Sequence, residues 1–317
     1  MRKYSWVLLG ALLLLGACSP IRENEPQSRF APQINPFEQQ GAVRYENAVL
    51  YYPVAKEGYL AGWEIQLAFP QNEQREATQI KALLEDPPLN MGLSHLFWPG
   101  VRLVDLKGEG DMVSVILSQE LLDPPPMEVA GRHKVYMGIQ AIVATLTQSG
   151  TYERAQVLVA QNNSREGRRL TRAQAGFEGG EDTLLEPMRQ DLNLLMNPQT
   201  LAKCFLEQAM RRDAEQIHLL LEPQGAPDKS HINERLHAAK ALVIGFRLGE
   251  IWQRDENHVV LSVDITYQRP DETNYVRYEQ SLTMLCVQGV WRVSPQGVLA
   301  LIAPDQDVDT AQGGQRP

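Results

Sequence analysis

Val135-Tyr136-Met137-Gly138-Ile139-Gln140-Ala141-Ile142-Val143-Ala144-Thr145-Leu146-Thr147-Gln148 is the stretch on which the fold turns. Val135, Ile139, Ile142, Val143 and Leu146 recur at helical spacing, which predicts a long helix with one apolar stripe. Gly150 can end it in a left-handed conformation. After it, Arg154 to Val159 reads as a strand. Before it, Val113, Val115 and Leu117 fall on one face of a strand over 112–117, which pairs as a hairpin with 101–106 around Lys107-Gly108-Glu109-Gly110.

Further back, beyond a proline-rich loop at 124–126, Asp86-Pro87-Pro88 stops an earlier helix. Its apolar positions are Ala77, Ile80, Leu83 and Leu84, and Asn72 can cap it. Two strands precede it, Ala48 to Tyr52 and Trp63 to Phe69, the second ended by Pro70. Residues 46–161 thus run β-β-α-β-β-α-β, a small sheet with two helices packed on it. Residues 162–196 are polar, carry Gly179-Gly180 and read as a linker.

A different order fills residues 197–303. Asn197-Pro198 is a capping pair, followed by a helix with Leu201, Cys204, Phe205 and Ala209 on one face. A short helix near 214–221 follows, and Ser230 can cap another carrying Ile232, Leu236 and Ala239. Strands at 245–254, 258–268, 274–287 and 290–294 close the segment, with Gln288-Gly289 as the last turn. The whole chain is α+β in two small domains: a sheet with two helices, then helices with a curved antiparallel meander. Residues 304–317 read as a disordered tail.

The N-terminus sets the compartment. Met1-Arg2-Lys3 is cationic, and Trp6 to Leu15 is apolar but shorter than the roughly 20 residues that span a bilayer. Residues 1–17 therefore read as an export signal. Leu15-Gly16-Ala17-Cys18 resembles the bacterial lipobox, in which small residues admit a peptidase and the Cys18 thiol accepts fatty acyl chains. The expectation is a lipoprotein on the extracytoplasmic face of the cell membrane, attached through lipid on Cys18, with residues 18–45 as a disordered tether. The formal net charge is −9 and grows more negative once Arg2 and Lys3 leave with the signal. That excludes a nucleic-acid partner.

Few residues are placed for chemistry. On the inward face of the meander, alternation places Val259, Leu261, Val263, Ile265 and Tyr267 on one strand. It places Val276, Tyr278, Gln280, Leu282, Met284 and Cys286 on the next. Neither set holds a carboxylate or a histidine, so no catalytic residue is expected there, and Asp264 points the other way. Tyr267, Tyr278 and Gln280 could line the polar end of a small pocket, or be ordinary core residues. The six histidines lack metal spacing, His231 and His237 being six apart, so neither a metal nor any other cofactor is expected. Cys204 and Cys286 could form a disulfide in an oxidising exterior, or be two buried thiols.

Two resemblances complete the reading. Residues 47–161 resemble the GerMN domain of sporulation and germination lipoproteins. The residues that carry this are Val49-Leu50-Tyr51-Tyr52-Pro53, Ile80 to Leu84 with Pro87, Phe97-Trp98-Pro99-Gly100-Val101-Arg102-Leu103, and above all Gln140 to Gln148. Asp86 stands where that family has glycine, and Ala160-Gln161 where it has Asp-Gly. The resemblance implies a non-enzymatic module that self-associates or binds envelope proteins during sporulation or spore germination. Residues 197–303 resemble the nuclear-transport-factor-2-like cone fold in element order alone. A ligand held in that cone is the alternative function.

Overall fold

The computed structural model describes residues 43–54, 58–88, 91–123, 131–161, 164–180 and 182–304. The export signal, Cys18, the expected tether as far as residue 42, the loop at 124–126 and the tail beyond Pro304 lie outside them, whereas residues 43–45, expected in the tether, already belong to a strand. Among the described residues, no helix is long and apolar enough to cross a membrane. Val43 onward forms one compact unit.

The first half contains two sheets where the sequence suggests one. Strands β1 (Val43–Pro53) and β2 (Leu60–Pro70) form a separate antiparallel hairpin. Helix α1 (Arg75–Leu84) follows; it starts after Gln74, so Asn72 lies too early to cap it. Strands β3 (Leu103–Glu109) and β4 (Met112–Leu117) are antiparallel. Helix α2 (Gly131–Thr147) then crosses over to β5 (Arg154–Ala160), which runs parallel to β4. The predicted single stripe on α2 understates its burial: every residue from Met137 to Leu146 is buried. The reason is position, since the helix packs against β1 on one side and β5 on another.

The motif Gln140 to Gln148 earns its place through polar residues as well as apolar ones. Among the described residues only β2 pairs with β1. On the open side of β1, Thr145 Oγ1 accepts from Tyr51 N–H (3.0 Å), and Gln148 Nε2 donates to Val49 O (2.5 Å). Two side chains of α2 therefore satisfy strand groups that would otherwise lack partners. Thr145→Val removes the acceptor and leaves the Tyr51 amide orphaned, so it should cost about 1–2 kcal/mol in a denaturant melt.

The expected linker over 162–196 is corrected. Strand β6 (Gly167–Arg169) pairs antiparallel with β5 and extends the sheet to the order β3-β4-β5-β6. Leu170, Ala175 and Leu185 are buried in the same core as α2. Ala155 and Met188 exchange backbone hydrogen bonds of 2.8 Å in both directions. Phe177 meets Tyr136 of α2 edge-on at 4.8 Å, with the Arg172 guanidinium over its other side at 5.2 Å. The segment is polar because it faces water on one side. Its sparse apolar residues are the ones that dock.

The second half follows the expected order. Helix α3 (Pro198–Arg211) opens with a capping box in which Thr200 N–H donates to Asn197 Oδ1 and Thr200 Oγ1 accepts from Asn197 N–H. Helices α4 (Ala214–Leu220) and α5 (Lys229–Ala238) follow. Asp228 occupies the N-cap position of α5, so Ser230 is already inside the helix. Strands β7 (Leu242–Asp255), β8 (His258–Gln268), β9 (Asn274–Val287) and β10 (Val290–Val293) make an antiparallel sheet in the order β10-β9-β8-β7, and helix α6 (Val298–Ile302) ends the described chain. Gln288 (φ 50°) and Gly289 (φ 81°) form the predicted two-residue turn. Strand β7 is the open flank of this sheet and departs from regular pairing with β8 at three points. The opposite flank is bridged, Leu221 to Val293, with Glu222 N–H donating to Val293 O (2.9 Å).

Each half has its own apolar core, and the two share a wall. Trp63 and Leu93 touch both cores, and Val54, Ala61 and Met91 from the first half belong to the second core. The seam is hydrogen-bonded: Met196 N–H donates to Leu60 O (2.7 Å) and Glu64 N–H to Gln288 O (2.8 Å).

Candidate functional site

The inward face of β8 is as the alternation predicts. Val259, Leu261, Val263, Ile265 and Tyr267 are all buried. On β9 the alternation holds for Leu282 and Met284 and then changes phase. Gln280 pairs with Val263, but Arg277 pairs with Ile265, and Glu279 takes a left-handed conformation (φ 54°). This bulge turns Val276 and Tyr278 outward and brings Tyr275 and Arg277 onto the inward face.

The expected pocket of Tyr267, Tyr278 and Gln280 is therefore not assembled. Tyr267 is buried, and its hydroxyl donates to Leu301 O of α6 at 2.6 Å. Burial pushes that phenol up to about 12. Tyr278 is 66% exposed on the other face. Gln280 spends its amide on the Tyr278 carbonyl (2.8 Å). In their place is a stack that the sequence did not reveal. Arg269 lies over Tyr275 (4.5 Å), Tyr275 stacks on Tyr267 (5.1 Å, 18°), and Arg277 lies over Tyr267 (5.4 Å). No local sign could have found it, since the alternation through Val276, Tyr278 and Gln280 runs on unbroken.

Asp264 points outward as expected, but it is far from solvated. Its side chain is 15% exposed. It accepts from Arg247 Nη2 (2.5 Å) and from the Glu279 backbone N–H (2.9 Å). The carboxylate thus holds the bulge in place, a positioning role within the sheet.

A second concavity lies at the seam between the halves. Val49, Tyr51, Gly62 and Glu64 share one face of the β1–β2 hairpin, and Tyr51 also packs against the first core. Leu60, Leu195, Met196, Gly289 and Trp291 complete a cavity of about 230 Å³. Its floor needs glycine. A Cβ on Gly289 would lie 2.7 Å from Gly62 O, and one on Gly62 would lie 2.9 Å from Val49 Cγ1. The Tyr51 hydroxyl is hydrogen-bonded to Gln190, and burial raises its pKa.

No disulfide joins Cys204 and Cys286. Cys204 is buried in the α3 core and Cys286 is half-buried on β9. Burial, reinforced by the nearby Glu64 carboxylate, raises the Cys286 thiol above its ordinary range. At pH 8.5, near the ordinary thiol midpoint, Cys286 should therefore be alkylated several-fold more slowly in the native chain than in urea. Timed iodoacetamide labelling with peptide mapping reads this directly.

The histidines stand apart from one another. His95 faces Asp86 (3.2 Å), His258 faces Asp255 (2.7 Å), His218 Nδ1 contacts Pro227 O (3.1 Å) and His237 contacts Arg212 (3.3 Å). Among the described residues, no group of three His, Cys, Asp or Glu side chains is placed to hold a metal ion.

Comparison with known proteins finds a family match within the first half. Residues 49–164 match the family described as Germane: Sporulation and spore germination. The Germane match begins in β1 and ends just after β5, so it takes in the hairpin, α1, the β3–β4 pair and α2. No curated protein matches the chain. Among solved structures, it is similar to the tandem GerMN domains of the sporulation protein GerM from Bacillus subtilis, at 19% identity and a TM-score of 0.34 over 48% of each chain. It is also similar to the first GerMN domain of that protein, at 17% identity and a TM-score of 0.30, over 46% of this chain and 96% of that one. The chain thus spans about half of the tandem structure.

Proposed function

We propose that this chain is a lipid-anchored extracytoplasmic lipoprotein whose Germane segment acts as a non-enzymatic assembly module in sporulation or spore germination. The observation that carries the reading is the Germane match over residues 49–164. The inward face of the curved sheet supports the non-enzymatic part, because a tyrosine–arginine stack fills it where acid–base catalysis would want a carboxylate or histidine. The anchor is proposed from Leu15-Gly16-Ala17-Cys18. Its partner is a second copy or an envelope protein.

Two measurements test this. Mass spectrometry of the mature chain should find an N-terminal acylated Cys18, and Cys18→Ser should move the protein from the membrane to the soluble fraction. Light scattering of the anchored chain in detergent, with and without candidate envelope proteins, should show association. An unmodified Cys18 would remove the anchor from the proposal. Strict monomers under every partner condition would remove the assembly role.

A further inference from the structure

The seam cavity has the composition of a receptor for a small organic cation, and we propose that it binds an alkylammonium group between Glu64, Tyr51 and Trp291. Its walls come from the β1–β2 hairpin, Leu195-Met196 and the β9–β10 turn region.

Charge comes first. Glu64 is the cavity's one ionisable carboxylate, and no basic side chain lines the space. Among the described residues Glu64 has no ion-pair partner, whereas Glu46, Glu73, Asp111, Glu153 and Asp264 each have one. Its negative field is felt nearby, where it contributes to raising the Cys286 thiol. An anion placed here would face the Glu64 carboxylate. A cation would meet a partner.

Shape and surface agree. Tyr51 and Trp291 contribute aromatic walls, whose ring faces carry the negative side of the quadrupole and attract ammonium groups. The Tyr51 hydroxyl is hydrogen-bonded to Gln190. Leu60 and Met196 supply apolar surface for a short alkyl chain. The volume, about 230 Å³, exceeds the roughly 150 Å³ of an engineered apolar cavity that takes up benzene. The site spans the two halves, as ligand sites between packed units commonly do.

The test uses the mature lipid-anchored chain in detergent with tryptophan labelled at the indole nitrogen, which gives four resonances once Trp6 leaves with the export signal. Trp291→Phe assigns the one of interest. Titration with n-butylammonium chloride should shift the Trp291 resonance saturably, and n-butanol at equal concentration should not. Glu64→Gln should weaken the n-butylammonium affinity by about tenfold, the loss expected for a hydrogen bond to a charged group. Glu64 is exposed, so this variant should keep the parent melting temperature. Equal responses to amine and alcohol, or undiminished affinity in Glu64→Gln, would overturn the proposal. Neither result bears on lipid at Cys18 or on association with envelope proteins.

Discussion

Gly138→Ala should lower the stability of the chain by about 2 kcal/mol, although alanine is the better helix former. In an unconstrained helix interior the change would gain about 1 kcal/mol. Here the added Cβ would lie 2.6 Å from Phe97 Cζ and 2.9 Å from Leu96 O. Phe97 is itself buried at 6% exposure, so its ring has little room to give way. Overpacking of this kind costs roughly 1–3 kcal/mol, and more where backbone must shift. The cost exceeds the propensity gain because α2 is buried along its length and cannot move from one neighbour without striking another. A melt of Gly138→Ala at or above the parent midpoint would show that the loop over Phe97 is softer than its packing implies. Phe97→Leu in the Gly138→Ala background should recover part of the loss, because the smaller side chain opens the space that the methyl group needs.

Arg292→Met should have the opposite sign and stabilise the chain by about 2 kcal/mol. Arg292 is 1% exposed on β10, and its Nε and Nη2 atoms are buried without a hydrogen-bond partner. Burial lowers its pKa to about 10, still above neutral pH, so the guanidinium keeps its charge there. A lone buried charge is a penalty that an unbranched apolar side chain of similar length removes. The pH dependence carries the same sign. The folded form binds the proton less tightly than the unfolded form, so the penalty is full below about pH 10 and eases as pH rises above it. Arg292→Met should flatten that rise. Arg292→Ala is the contrast: it deletes the charge but leaves a void, and should fall below Arg292→Met by the cost of the cavity. If Arg292→Met melts lower than the parent, the guanidinium has a partner in solution.

Most elements were legible because their patterns are local. The alternation on β8 and the Asn197-Pro198 cap each depend on neighbours within a few residues, and both are found where the pattern puts them. What escaped depends on distant contacts. The bulge at Glu279 exists because Asp264, on the neighbouring strand, accepts from its amide. Nothing within Tyr278-Glu279-Gln280 announces that. It displaced the expected pocket residues and put Arg277 where an apolar side chain was expected. Residues 162–196 were misread for a related reason. Their few docking side chains, Leu170, Ala175 and Leu185, are too sparse for any periodicity, and only the exposed flank of the sheet gives them a purpose. The seam cavity was invisible because its walls come from three segments far apart in sequence.

The two flanks of the β7–β10 sheet differ, and the difference limits stoichiometry. At one end β10 is bridged by the Leu221 segment, while at the other β7 pairs only with β8 among the described residues. Two copies joined through β7 would use up both open flanks, so growth by this route stops at a symmetric pair. A longer polymer would have to be built from other surfaces.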